Sequence, residues 1–228
     1  MAVDKLQSAS SVNCSLASIN FTKNSYSVHR LFTIHEEITG DRRGRRYNIE
    51  ILNKSAFVFI TAYWEDYIES ICREFSLFLL SSSGDYKKFP QKGRLLATKK
   101  LLESKDERRV WDLAGNGWKK IMSSYVEKLL NNFHTPSPAN VDRLFKNLFD
   151  VSSLSSSWKW AGMSSDNSTL KLDELIEIRH DIAHGQEIPK SVTKKNAETF
   201  LNLVETIVQK TDKYLRNYGK KLINKYPW

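Results

Sequence analysis

"NIEILNKSAFVFITAYWEDYIESICREFSLFLL", residues 48–80, decides the fold class. Its apolar residues at 57, 60, 64, 67, 68, 71, 75 and 78 recur in steps of three and four. That spacing gathers side chains on one face of a helix with 3.6 residues per turn. The stretch predicts one long, deeply buried helix, closed by "SSSGDYKKFP" at 81–90. A helix so apolar must be surrounded, and the flanking sequence supplies the neighbours. Before it, "SYSVHRLFTIHEEITG" carries Val28, Leu31, Phe32 and Ile34 on a rough stripe that stops at Gly40, followed by the arginine turn "DRRGRRY". After it come "KGRLLATKKLLES", "GWKKIMSSYVEKLLNNF", the breaker "HTPSPAN" and the short "VDRLFKNLFDV". "SSLSSSWKWAGMSSDNST", residues 152–169, is serine-rich and reads as a loop or a poorly ordered lobe. The last helix, "SVTKKNAETFLNLVETIVQKTDKYLRNYGKKL", keeps apolar positions at 200, 203, 204, 207, 208 and 215 with lysines around them.

No run alternates with period two over a useful length, and no repeat of 20–50 residues is visible. The expectation is an all-α helical bundle of six or seven helices. It forms one domain over residues 1–228, with a helical and loop insertion at about 85–165 that the pattern assigns poorly.

The bulk numbers bound the function. Forty per cent hydrophobic residues suffice for a core. The most apolar stretch, "AFVFITAYW", falls well short of the roughly 20 residues a bilayer span needs. "MAVDKLQSASS" has no apolar stretch of the secretory kind. Cys14 and Cys72 show neither disulfide nor zinc spacing. A cytoplasmic protein without membrane contact is the default. Thirty-five Lys and Arg against 26 Asp and Glu leave a net charge of +9, which favours polyanion partners.

Residues 174–190, "ELIEIRHDIAHGQEIPK", concentrate the chemistry. Arg179, His180, Asp181 and His184 fall within six positions, just before Gly185 and Pro189. His180 and His184 are four apart and share a helix face. Arg179 and His184 are five apart, which in an unbroken helix separates them by about 140°. They converge only if the helix loosens near His184 or a partner surface collects both, and Gly185 suits a left-handed stop there. An ordinary reading stands beside this one: basic side chains near a helix C-terminus favour the negative end of its dipole. The Arg-x4-His spacing also recurs from Arg30 to His35, but there Leu31 holds the second position and "EEITG" follows, with no helix stop at the histidine.

"IRHDIAHG" resembles the Arg-polar-x-x-x-His motif of HEPN domains, all-helical modules common in bacterial defence and toxin–antitoxin systems. "GDRRGRRYNIEILNKSAFVFITAYWEDYIESI" is similar to the basic turn and buried helix of the RiboL-PSP-HEPN subgroup, with Trp64, Glu65 and Tyr67 in its signature. With "VHRLFTIHEEITG", the likeness covers about residues 26–80 and 172–215. It implies an endoribonuclease that needs no metal or other cofactor. The ribose 2′-OH attacks the adjacent phosphate and leaves a 2′,3′-cyclic phosphate and a 5′-OH. It also implies a homodimer that faces two motifs across one groove, and an antitoxin protein as a further partner.

The residues fit that chemistry. An imidazole exchanges protons near neutrality, so His184 can serve as base or acid. Arg179 can donate two parallel hydrogen bonds to a phosphate as charge builds on it. His180 can orient a catalytic group or contact phosphate. Glu65, on the long helix, must be paired if buried; it either holds the motif in place or forms a structural ion pair. Arg42, Arg43, Arg45 and Arg46 around Gly44 suit phosphate contacts to RNA, or a solvated loop.

Two other functions compete. "HDIAH" contains the His-Asp pair of metal-dependent HD phosphohydrolases, for which His134 and Asp212 are the nearest further ligands. A non-catalytic helical module that binds RNA or protein is the second. Of the tryptophans, Trp158 and Trp160 either stack on bases or anchor their loop, with anchoring the commoner case. Trp64, Trp111 and Trp118 sit in helical contexts and are expected in the core. Asp173 is expected to help start the motif helix, and the tail "KKLINKYPW" to be exposed.

Overall fold

The stretch at 48–80 forms a 33-residue helix, and the remaining helices pack around it. The computed structural model describes residues 13–40, 49–103, 105–186 and 192–228. In chain order its α-helices are α1 (Leu16–Thr39), α2 (Glu50–Ser82), α3 (Gln91–Leu102), α4 (Gly117–Leu130), α5 (Pro138–Phe149), α6 (Ser165–Ala183) and α7 (Lys194–Ile223). Short 3-10 turns occupy Tyr86–Lys88, Glu107–Leu113 and Ser155–Ser157. Among the described residues there is no strand, only an isolated antiparallel bridge between Trp160 and Met163. The fold is all-α.

Helix α2 is central because its apolar face is fully enclosed: Phe57, Ile60, Trp64, Tyr67, Ile68, Ile71 and Phe75 have no exposed surface. Helices α1, α4, α6 and α7 close over it. Its two large polar-tipped aromatics find partners, as burial requires. The Trp64 indole N–H donates to the Pro136 carbonyl at 2.8 Å, and the Tyr67 hydroxyl donates to the Val208 carbonyl at 3.2 Å. The first contact fixes the loop before α5 against α2; the second fixes α7.

The N-terminus of α1 is capped from a distance. Ser15 accepts from the Ser18 amide, while its own amide and hydroxyl donate to the buried Asp212 carboxylate of α7. Glu74 of α2 accepts from the Leu16 and Ala17 amides, both at 3.0 Å. Two carboxylates thus satisfy amides that a helix start leaves unpaired. Burial pushes the Asp212 carboxyl up, and the Ser15 hydrogen bonds offset part of that.

Three expectations need correction, and the alternative left open for Trp158 is decided for anchoring. Helix α6 starts at Ser165, and the Ser164 hydroxyl caps it by accepting from the Asn167 amide at 3.1 Å. Asp173 therefore lies in the third turn, and the end of the serine-rich stretch is a helix start, because Ser and Asn satisfy terminal amides. Trp158 is fully buried: its ring meets Trp64 edge-on at 5.7 Å, and its indole N–H donates to the Thr211 hydroxyl at 2.8 Å. It anchors its loop and offers no platform to a base. Trp111, expected in the core, is 80% exposed, because the 3-10 turn directs Leu113 inward instead. The C-terminal tail folds back. Trp228 packs on Phe75 at 6.4 Å, and its carbonyl accepts from the Arg216 Nε at 2.9 Å.

Candidate functional site

The end of α6 is a built stop. His184 is the capping residue, with φ −96° and ψ 5°, and Gly185 follows in the left-handed region at φ +65°. The Gly185 amide donates to the Ile182 carbonyl at 3.4 Å, and the Gln186 amide to the Asp181 carbonyl at 3.0 Å. This is the paired bonding of a Schellman motif, which satisfies carbonyls that the last turn leaves open. The sequence expected Gly185 in this role, and the physical reason is its tolerance of positive φ.

His180 and His184 share a face, as their four-residue spacing requires. Their ring centroids lie 4.3 Å apart at an interplanar angle of 48°, and both residues are exposed. Arg179 is half-buried and lies within the electrostatic reach of Glu65 on α2. Burial is the largest influence on the Glu65 carboxyl and pushes it up; Glu69, one turn on, acts the same way. Arg179 and His134 pull it partly back. Among the described residues Arg179 makes no ion pair within 4 Å, so its guanidinium is influenced by Glu65 without being consumed by it.

The structure therefore sorts the sequence candidates into two groups. His180 and His184 stand together at the exposed helix end. Arg179 and Glu65 are linked electrostatically between α6 and α2. His134 joins the second group, a neighbourhood that the sequence reading did not assign to it. It rides on the loop whose Pro136 carbonyl is held by Trp64, the residue beside Glu65. No local pattern signals this, since His134 lies 70 positions along the chain from Trp64. Arg42, Arg43, Arg45 and Arg46 lie outside the described residues.

The arrangement does not support the HD-type metal site. Asp212 accepts from the Ser15 amide and hydroxyl, and His134 lies within the electrostatic reach of Glu65. No group of three or more His, Cys, Asp or Glu among the described residues is arranged to hold a metal ion. The α6 motif offers acid–base and electrostatic chemistry: two imidazoles able to move protons, and a guanidinium able to hold a developing oxyanion. No helix among the described residues is long and apolar enough to cross a membrane.

A family model described as RiboL-PSP-HEPN matches residues 24–217. The match runs through the middle segment, about 85–165, as well as through both stretches that carry the resemblance. No curated protein and no solved structure matches the chain.

Proposed function

Because the chain belongs to the RiboL-PSP-HEPN family, we propose that it is a metal-independent endoribonuclease acting at the end of α6. One imidazole, His184, takes the proton of a ribose 2′-OH. The 2′-oxygen then bonds to the adjacent phosphorus as the bond from phosphorus to the 5′-oxygen breaks. A second imidazole returns a proton to that leaving oxygen, so the products are a 2′,3′-cyclic phosphate and a 5′-OH. Arg179 donates to the phosphate oxygens while their negative charge grows. Glu65 is a positioning residue for Arg179.

The second imidazole is His180 of the same chain, or His184 of a second copy facing the first across a shared groove. Arg42, Arg43, Arg45 and Arg46 contact phosphates away from the cut. The setting we assign is bacterial defence or toxin–antitoxin biology, with an antitoxin protein as a partner; family resemblance alone supports it.

The observation that carries this reading is the division of the motif. The Schellman stop holds two imidazoles 4.3 Å apart in solvent, while Arg179 is held half-buried beside Glu65. The test is cleavage of single-stranded RNA by the purified chain in EDTA. His184→Ala should lower the rate by about 10²–10⁴-fold, the range of a general acid–base group. Its melting temperature should stay near the parent's, because the side chain is exposed. Cleavage abolished by EDTA sinks the mechanism. Salt-sensitive RNA binding with no products would assign the chain to the binding modules instead.

A further inference from the structure

The segment that the sequence pattern assigned least well carries the largest open groove of those described. It holds about 1170 Å³ between α3 and the start of α4. One wall is the α3 stripe of Arg94, Leu95, Thr98 and Leu102, spaced so that all share one face. The opposite wall is Trp118, Ile121 and Met122 of α4. Leu95 and Leu102 are 61% and 59% exposed, an unusual state for two leucines in register along one helix.

Charge singles out the same segment. Residues 85–130 contain twelve Lys and Arg against six Asp and Glu, a net +6 of the chain's +9. Four of the six acids are already neutralised: Glu103 by Lys100 at 2.6 Å, Asp106 by Arg108 at 2.9 Å, Asp112 by Arg109 at 3.6 Å and Glu127 by Arg73 at 3.1 Å. A fifth, Asp85, caps the turn at Tyr86–Lys88. Among the described residues, Lys87, Lys88, Lys92, Lys99, Lys119 and Lys120 make no ion pair within 4 Å.

We propose that this groove docks an acidic amphipathic helix of a partner protein. The α3 wall from Gln91 to Leu102 spans roughly 17 Å at 1.5 Å per residue, the length of about three turns of an incoming helix. Apolar residues at i, i+3, i+4 and i+7 of that helix fill the space between Leu95, Leu102 and Ile121. Its acidic flanks meet Arg94 and Lys99, which line the groove beside the capping Asp85 and the Lys100-paired Glu103, and the unpaired Lys87, Lys92 and Lys119 next in sequence to lining residues. RNA fits less well, because a sugar–phosphate chain offers nothing to cover two leucines. No residue that lines the groove belongs to α6, so the inference stands apart from the nuclease assignment.

The test uses the full-length chain and two labelled 15-residue peptides. One carries Leu at i, i+3, i+4 and i+7 with Glu elsewhere; the other has Lys in place of every Glu. Anisotropy should show saturable binding of the acidic peptide and none of the basic one, with affinity falling as salt rises. Leu95→Glu and Lys99→Glu each change an exposed residue, and each should weaken binding about tenfold or more. The proposal is overturned by the absence of saturation up to about 1 mM. Equal binding of the two peptides, or indifference to Leu95→Glu, overturns it as well. So does an RNA oligomer whose binding is lost with Leu95→Glu.

Discussion

Gly185→Ala tests the stop at the end of α6 directly. The glycine sits at φ +65°, and a Cβ built there meets nothing within 4 Å. The substitution therefore creates no clash, and its whole effect is conformational. A left-handed L-residue costs about 1–2 kcal/mol. Alanine also restricts the unfolded chain, which returns about 0.4–1 kcal/mol. The net loss is about 1 kcal/mol, which for a chain of this size lowers the melting temperature by about 2–4 °C. Gly185→Asn should lose less, since asparagine tolerates this region better.

The sign is the informative part. Were residue 185 right-handed, so that α6 simply continued, alanine would stabilise it as it does in any helix interior. A rise in the melting temperature of Gly185→Ala, followed by circular dichroism at pH 7, would refute the reasoning. Initial rates of RNA cleavage add a second readout. Strain at 185 is relieved by fraying the bonds from Gly185 and Gln186 to Ile182 and Asp181, and this releases His184 from His180. Cleavage should therefore fall well below the parent's at temperatures where the variant is still folded.

Two further substitutions test the framework. Trp158→Phe keeps most of the buried ring but removes the donor to Thr211, and should cost about 1–3 kcal/mol in urea unfolding; a loss near zero would mean that this bond does not anchor the loop. Glu65→Gln separates a positioning role from a structural one. Burial raises the Glu65 carboxyl above its ordinary 4.5, so as pH rises past that value the unfolded chain releases this proton before the folded one. Stability from this group is present in acid and declines as pH rises through the raised value. Glu65→Gln should remove that decline and leave the neutral-pH fold at least as stable, while cleavage falls as Arg179 loses its guide. A variant that unfolds more easily at pH 7 with unchanged kcat would make Glu65 a structural ion-pair member instead.

The parts of the fold legible in the sequence are those where burial is periodic. The expectation of a helix over 48–80 meets α2 at Glu50–Ser82, because three- and four-residue apolar steps leave no other way to bury Phe57 through Phe75 together. Positions 200 to 215 place α7 for the same reason. Periodicity says nothing about caps that look like loops, and there the reading fails. Ser164 and Asn167 begin α6 within a serine-rich stretch, and Ser15 begins α1 well before its apolar stripe, with help from Asp212 and Glu74. Both starts depend on hydrogen bonds, and the second depends on residues distant in sequence. The tryptophans show a related limit. Composition cannot distinguish Trp111, on a solvent-facing 3-10 turn, from Trp158, wedged between Trp64 and Thr211.

The site itself was legible as spacing and incomplete as geometry. Five residues of helix separate Arg179 from His184 by about 140°, and the folded chain preserves that division instead of closing it. The arginine is half-buried within the field of Glu65, and the two imidazoles are exposed. A phosphodiester that touches both kinds of group cannot lie along one side of α6. Under the proposed mechanism it crosses the terminus of α6, where the chain turns away from the helix axis at Gly185. Termination at 184 is then a steric condition of that proposal. The same Arg-x4-His spacing at Arg30 and His35 does not meet that condition: α1 continues four residues past His35, to Thr39, and His35 is buried within it.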